Sequence, residues 1–203
     1  MKRQIWLIRH GKTQGNMEFR YVGRSDEPLC PAGREALEEK KGLYPVLSEI
    51  YVSPMIRCRQ TGEILFPGAA QHVLPGMEEC DFGDFEYKNY EEMNGYPAYQ
   101  DWIDSGGISG FPGGETMEAF ADRVNAAFLK MMRAQARQAK EEPLVLVCHG
   151  GCIMAILDRF SRPHQDYFTW QAQNGSGFKA VTEMDDWAEG LGDLSEITSL
   201  EAL

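Results

Sequence analysis

Two short stretches of the chain are apolar at every position and pass directly into a histidine and a glycine. Residues 5–8 run into Arg-His-Gly at 9–11, and residues 144–147 run into Cys-His-Gly at 148–150. A strand that is apolar on both faces is typical of a central parallel strand covered by helices on each side. The pattern therefore predicts two buried strands that each deliver a histidine at their carboxyl end.

The segments between these strands alternate between strand and helix signals. Apolar residues at a spacing of three and four from Met117 to Met132 predict one long helix with a single buried face. The alternation predicts an α/β protein with three layers, in which a mostly parallel central sheet has helices on both faces. Further helices are predicted at 31–47, 55–65, 89–104 and 153–160, and further strands at 49–54, 71–74 and 177–183.

Length and hydropathy favour a single soluble domain. The 203 residues suffice for one domain with a substantial core. We expect that domain to span residues 1–184, with residues 185–203 as an acidic, partly helical and peripheral tail. No apolar run is as long as a membrane span, and four apolar residues near the start are too few for a signal peptide. The sequence therefore predicts a cytoplasmic protein.

Charge and cysteine usage exclude several classes of partner and site. A net charge of −11 argues against binding to nucleic acid or to an anionic membrane, so any anion site must be a local cluster of positive charge. The five cysteines are scattered and odd in number, which favours free thiols. Cys148, His149 and Cys152 lack the paired spacing of a zinc site, so no metal site is expected.

The polar residues at the predicted strand ends are suited to binding an anion. Ligands of open α/β sheets bind outside the carboxyl ends of the strands, where Arg9, His10 and His149 would lie. Arg57 falls in the first turn of a predicted helix, next to another strand end. Because a helix N-terminus carries partial positive charge, Arg57 and the helix would reinforce each other at an anion.

Residues 77–86 form an acidic segment in which carboxylates are interspersed with two phenylalanines. Two phenylalanines in this segment, Phe82 and Phe85, require burial and would hold part of it against the core. A carboxyl group close to such apolar side chains is expected to have a raised pKa. These residues alone favour Glu79 over Glu78 only slightly.

Five motifs along the chain resemble, in their order and approximate spacing, those of the histidine phosphatase superfamily, which includes cofactor-dependent phosphoglycerate mutase. The resemblance implies a phosphoglycerate mutase-like fold. The loop at 21–29 and the stretch at 82–90 also resemble the α-ribazole phosphatase branch. Lys12 and Tyr87 depart from the family, which often has an acidic or amide residue and a glycine at these positions. The motifs are Arg9-His10-Gly11-x-Thr13-x-x-Asn16, Ser53-Pro54-x-x-Arg57-x-x-x-Thr61, Glu79-x-x-Phe82-Gly83, Gly114-Glu115-Thr116 and His149-Gly150-Gly151.

The resemblance implies a role for each matching residue. His10 would attack phosphorus and become a phosphohistidine, and Glu79 would protonate the leaving group. His149 would add a positive contact to the phosphate. The remaining residues implied to bind substrate are Arg9, Asn16, Gly23, Arg24, Arg57 and Gly150.

The expected activity is hydrolysis of a small phosphorylated metabolite by a metal-independent phosphomonoesterase without a cofactor. The substrate could be α-ribazole phosphate, a sugar phosphate or phosphoglycerate. Alternatives are a mutase of the phosphoglycerate type, which retains the phosphate, and a non-catalytic phosphate-binding module. Mutases of the family tend to be longer, which favours the phosphatase. We expect a monomer or a homodimer.

Overall fold

A computed structural model describes residues 1–107, 109–138, 140–188 and 196–203. These residues contain a six-stranded sheet of order β3-β2-β4-β1-β5-β6. The strands are β1 (Lys2–Arg9), β2 (Glu49–Val52), β3 (Ala70–Val73), β4 (Leu144–Cys148), β5 (Gly177–Glu183) and β6 (Ile197–Ala202).

Seven α-helices connect or flank these strands within the described residues. The two longest are the predicted long helix and the helix that follows the second histidine. Three short 3₁₀ helices are also present among the described residues, at Lys41–Leu43, Gly83–Phe85 and Tyr167–Trp170. The helices are α1 (Gln14–Met17), α2 (Pro31–Lys40), α3 (Ile56–Leu65), α4 (Pro97–Asp104), α5 (Met117–Ala136), α6 (Gly150–Phe160) and α7 (Met184–Ala188).

The sheet is mixed but mostly parallel, which confirms the predicted fold class. Strands β3, β2, β4 and β1 pair in parallel, whereas β5 is antiparallel to both β1 and β6. All five residues of β4 are buried. Alternate side chains of β4 contact two separate cores, because Leu144 and Leu146 pack with α5 and α6 while Val145 and Val147 pack with α2 and α3. The apolar run of this strand therefore reflects cover on both faces.

The C-terminal segment differs from the expected peripheral tail. Trp187 and Ile197 are both 0% exposed and belong to the main core. Residues of β6 add an edge strand to the sheet by pairing with β5. Burial of these two large apolar side chains favours docking of the segment despite its acidic composition.

Several helices begin or end at residues other than those predicted. The helix expected at 89–104 forms only from Pro97, because Gly95 adopts a left-handed φ of 81° and proline favours the first position of a helix. Helix α2 ends at Lys40 rather than at residue 47, and α6 begins three residues earlier than predicted, at Gly150.

All five cysteines are buried and free, as predicted. None of the described helices is both long enough and apolar enough to cross a membrane.

Candidate active site

The carboxyl ends of β1 and β4 bring the two predicted histidines together. Arg9 lies opposite Cys148 in the parallel pairing of these strands, and the His10 N–H donates to the Cys148 carbonyl at 3.0 Å. Each strand is followed by a histidine, and the two rings lie edge to face with centroids 5.2 Å apart. His10 is 4% exposed and His149 is 0% exposed. The register of one strand pair thus builds a buried histidine pair.

The ring of His10 has a defined tautomer. Its Nδ1 lies 2.7 Å from the Gly11 carbonyl oxygen, which can only accept a hydrogen bond. The proton is therefore on Nδ1, and Nε2 carries the lone pair. Burial, followed by the charges of Arg57 and Arg9, lowers the pKa of His10 well below its ordinary value. His10 is thus neutral near pH 7, with a nucleophilic nitrogen available.

His149 is held differently, at the N-cap of α6. Its Nε2 is hydrogen-bonded to the Oγ of Ser53 at 2.8 Å. Burial, Arg57 and the neighbouring His10 lower the pKa of His149 well below its ordinary value. The serine fixes the orientation of the ring, so His149 is a positioned hydrogen-bonding group rather than a second free nucleophile.

Two arginines flank the histidine pair, and neither has a carboxylate partner among the described residues. Arg57 is 0% exposed and donates to the carbonyls of Ser25 at 2.7 Å and Gly23 at 2.9 Å. Arg9 donates to the Ala172 carbonyl at 2.8 Å. The Nε atoms of both arginines are buried and lack a hydrogen-bond partner. Neither arginine forms an ion pair with any described residue, and cations that are buried, as Arg57 is, or half-buried, as Arg9 is, are suited without such a partner to holding an anionic ligand.

Glu79 lies beside the N-terminus of α6. Its Oε2 accepts from the Gly151 N–H at 3.1 Å, and its Oε1 accepts from the Cys80 N–H at 3.0 Å. Burial raises the pKa of Glu79 above its ordinary value, although these two hydrogen bonds, Arg57 and Arg9 oppose the rise. A carboxyl with a raised pKa next to a phosphate site can act as a general acid.

The loop that carries Glu79 is braced by Arg123 from α5. The guanidinium donates to the Gly76 and Glu78 carbonyls, both at 3.1 Å. It is also bound in a bidentate manner by Glu115, at 2.8 Å and 2.7 Å. Glu115 in turn accepts from the Asp81 N–H at 3.0 Å. The Gly-Glu-Thr motif therefore stabilises the loop rather than contacting the histidines.

An apolar cavity of about 270 Å³ opens beside Glu79, Arg9 and Gly150. Arg9 and Glu79 are the charged side chains on its wall. The other side chains that line it are mostly aromatic: Tyr21, Phe82, Trp102, Phe111, Phe120 and Tyr167.

A second cleft, of about 560 Å³, borders Arg9 on another side. It is more polar than the first, and its wall includes Lys12, Asn16, Arg20 and Asn174 but no carboxylate. Arg20 is already paired with Glu92 at 2.7 Å, whereas Lys12 is exposed and forms no ion pair with any residue that the structure describes. Arg9 thus lines both the apolar cavity and the basic cleft.

The remaining residues predicted to bind substrate fall into two groups. Asn16 lines the basic cleft, and Gly150 lies at the start of α6 beside Arg9. Gly23 and Arg24 have acidic partners, and Arg24 lines a separate cleft together with Glu79. The Gly23 N–H already donates to Glu86 at 3.0 Å, and Arg24 is 72% exposed in its side chain and paired with Asp81 at 2.9 Å. Gly23 supports the site through its carbonyl, which binds Arg57.

Tyr87, where the family often has a glycine, adopts a left-handed φ of 59°. This conformation is one that glycine adopts at no steric cost, which accounts for the family preference. The Tyr87 hydroxyl donates to Glu27 at 3.0 Å, and the ring packs under Arg20 at 5.2 Å. These contacts hold the tyrosine in place on the surface beside the cleft.

Sequence reasoning did not single out Asn174 or Arg123. Asn174 donates to the His10 carbonyl at 3.2 Å and to Asn16 at 3.1 Å. Its only sequence signal is a turn-forming Asn-Gly pair before the last predicted strand. Because that signal does not reveal that β5 lies next to β1, the contact with His10 could not be foreseen.

Comparison with known proteins shows the family to which this chain is similar. Residues 5–189 match the histidine phosphatase superfamily (branch 1). The chain is 26% identical to the adenosylcobalamin/α-ribazole phosphatase of Salmonella typhimurium, over 97% of this chain and 96% of that protein. It is 31% identical to a protein of Escherichia coli named "Probable phosphoglycerate mutase GpmB", over 76% of this chain and 74% of that one.

Solved structures share the fold. The α-ribazole phosphatase of Shigella flexneri superposes with a TM-score of 0.75 at 22% identity, covering 89% of this chain and 90% of that one. A phosphoglycerate mutase structure from Thermus thermophilus gives a TM-score of 0.67 at 28% identity, covering 98% and 99%. These neighbours confirm the predicted phosphoglycerate mutase-like fold. The chain belongs to branch 1 of the histidine phosphatase superfamily.

Proposed function

We propose that this protein is a phosphatase that hydrolyses a small phosphomonoester through a phosphohistidine at His10. The observation that carries the proposal is a neutral His10 with a free Nε2 beside buried Arg57 and half-buried Arg9, neither of which forms an ion pair with a carboxylate among the described residues. Such a site attracts a phosphate and presents a nucleophile to it.

In the first step, Nε2 of His10 attacks phosphorus while the ester P–O bond breaks in line. Arg9 and Arg57 donate to the equatorial oxygens, together with His149 and the side-chain amide of Asn16. The protonated carboxyl of Glu79 gives its proton to the departing oxygen. The products are a free alcohol and phosphohistidine, with Glu79 left as a carboxylate.

In the second step, a water molecule attacks the phosphorus of the phosphohistidine. Glu79 takes a proton from this water as the Nε2–P bond breaks, so both His10 and Glu79 return to their starting states. The arginines supply the positive charge that a metal ion provides in other phosphatases, so the proposed reaction requires no metal.

The cavity beside Glu79 supports a particular class of leaving group. The leaving oxygen must lie close to Glu79, so the rest of the alcohol extends into the apolar, aromatic-lined cavity of about 270 Å³. Such a cavity suits an uncharged alcohol that carries a planar ring. α-Ribazole phosphate, a nucleoside phosphate, meets this description. A relative that aligns with 97% of this chain is named as an α-ribazole phosphatase.

A phosphoglycerate mutase is the second candidate, and the basic cleft favours it. Lys12 in that cleft could bind the carboxylate of phosphoglycerate. The cleft shares Arg9 and Tyr21 with the apolar cavity, but Glu79 lines the cavity and not the cleft. A carboxylate at Lys12 would therefore draw the substrate away from its proton donor, and we favour the phosphatase.

A substrate panel with an acid-deficient variant tests this proposal. The panel contains α-ribazole phosphate, a sugar phosphate, 3-phosphoglycerate and nitrophenyl phosphate, all with excess chelator. We expect the highest kcat/KM for the ring-bearing alkyl ester. Glu79→Gln should slow the alkyl esters by roughly 10²–10⁴-fold but have little effect on phosphorylation by nitrophenyl phosphate, whose leaving group needs no proton.

Glu78→Gln is the matched control, because Glu78 carries the same charge one residue away and its side chain lies 3.5 Å from Arg123. This variant should react with both kinds of substrate at almost the wild-type rate. Equal losses on both substrates in Glu79→Gln would assign the acid to another group, with Asp81 and Glu115 next to be tested. Phosphate transfer to a second phosphoglycerate rather than to water would favour the mutase.

A further inference from the structure

Asn174 connects the backbone of the nucleophile with a side chain of the basic cleft. Its Nδ2 donates to the His10 carbonyl at 3.2 Å and to the Oδ1 of Asn16 at 3.1 Å. The next residue, Gly175, donates its N–H to the carbonyls of Arg9 and His10, both at 3.0 Å. The turn before β5 is therefore bound directly to the end of β1.

These contacts determine which way the Asn16 amide faces. Its Oδ1 also accepts from the Thr13 N–H at 3.2 Å. A backbone N–H can only donate, so the atom facing Thr13 must be the oxygen. The Nδ2 of Asn16 then points away from both donors and has no hydrogen-bond partner among the described residues. Asn16 and Arg9 line the same cleft, so this free N–H is available to an anion bound at Arg9.

We propose that Asn174 is a positioning residue, which keeps the Asn16 amide nitrogen directed toward the bound phosphate. The inference rests on the proposed function, in which the phosphate lies against Arg9 and His10. An amide turned by 180° would present its oxygen to the phosphate and would repel it. Two donors on Oδ1 disfavour that rotation, because each would then face an N–H group.

Asn174→Asp is the first test, since aspartate has nearly the same shape but no N–H to donate. The carboxylate would face the Oδ1 of Asn16 and favour rotation of that amide. We expect the affinity for inorganic phosphate and kcat/KM both to fall roughly ten- to hundredfold, the usual worth of a hydrogen bond to a charged group. Gln173→Glu is the matched control, because it adds the same charge at the neighbouring exposed residue. It should change phosphate affinity by no more than about threefold.

A double-mutant cycle tests whether Asn174 affects phosphate affinity through Asn16 or independently of it. The alanine variants of this cycle add no charge. Phosphate affinity is measured by calorimetry for Asn174→Ala, Asn16→Ala and the double variant. If Asn174 acts through Asn16, the double variant binds phosphate no more weakly than Asn16→Ala alone. Additive losses, or wild-type affinity in Asn174→Asp, would overturn the inference.

Measurements on the wild-type protein and on Asn174→Asp also distinguish this inference from the proposed function. A wild-type protein that neither binds phosphate nor hydrolyses any phosphomonoester contradicts the proposed function itself. A wild-type protein that does both, while Asn174→Asp behaves like wild type, contradicts only the role of Asn174.

Discussion

The two histidines occupy matching places in the fold but differ in which ring nitrogen is bound. Each follows a buried parallel strand and precedes a glycine. His10 uses Nδ1 to bind the carbonyl of its own turn, which leaves Nε2 free. His149 uses Nε2 to bind Ser53 from the end of β2. The same local sequence thus yields one free nucleophile and one fixed hydrogen-bonding group.

The difference arises from the neighbours rather than from the motif. Ser53 lies next to His149 because β2 pairs with β4, and its N–H donates to the Val147 carbonyl at 2.9 Å. His10 follows β1, whose other neighbour is β5 and the turn with Asn174. Position in the sheet therefore decides which histidine is the candidate nucleophile.

Replacing each histidine in turn is expected to give the largest effect. His10→Ala removes the atom that bonds to phosphorus, so turnover should fall by at least about 10⁴-fold with no phosphoenzyme. His149→Ala removes a hydrogen bond to the equatorial oxygens but leaves the nucleophile. It should slow turnover by roughly 10²–10³-fold while the phosphoenzyme still forms.

Rapid-quench measurement of the phosphoenzyme with nitrophenyl phosphate distinguishes the two variants. Phosphoenzyme in His10→Ala together with its absence in His149→Ala would reverse the assignment. The urea midpoint of each variant serves as the control that it is folded, because both histidines belong to the proposed phosphate site.

The pH profile of kcat/KM reports the two groups whose pKa values shift in opposite directions. His10 must be neutral and its pKa is lowered, so activity should fall on the acid side only below the ordinary histidine value of 6.5. Glu79 must be protonated and its pKa is raised, so the alkaline limb should lie above the ordinary glutamate value of 4.5. We expect Glu79→Gln to lose the alkaline limb and keep the acid limb. An unchanged alkaline limb in that variant would assign the limb to another group.

Removing the serine that orients His149 should have the smallest effect. Ser53→Ala leaves a buried ring nitrogen without its partner, which costs about 1–3 kcal/mol of folding stability, and we expect turnover to fall roughly five- to tenfold. Ser161→Ala is the matched control, because Ser161 is equally buried but its Oγ has no hydrogen-bond partner in the part of the chain that the structure describes. It should change neither turnover nor the urea midpoint. A Ser53→Ala variant as active as wild type would mean that His149 needs no fixed orientation.

The sequence predicted those parts of the structure that depend on local pattern. The apolar runs of β1 and β4 and the period of α5 follow directly from side-chain spacing. The packing of the C-terminal segment against the core was not predicted. Its acidic composition does not indicate that Trp187 and Ile197 are buried. Pairing of β6 with β5 is a long-range contact that local pattern does not contain.

The candidate site shows the same division. Strand ends pointed to Arg9, His10 and His149, and a helix start pointed to Arg57. The choice of Glu79 over Glu78 came mainly from the family resemblance, whereas the structure shows a physical basis in the hydrogen bond between Glu79 and the Gly151 N–H. Asn174 was missed because its contacts cross from one strand end to the next.

The chemical identity of the phosphoenzyme tests the central claim most directly. The enzyme would be quenched during turnover of nitrophenyl phosphate, digested under alkaline conditions and examined by mass spectrometry and phosphorus NMR. We expect one phosphorylated residue, His10, with phosphorus bonded to Nε2. Phosphorus on His149, on Nδ1 of His10 or on no histidine at all would contradict it.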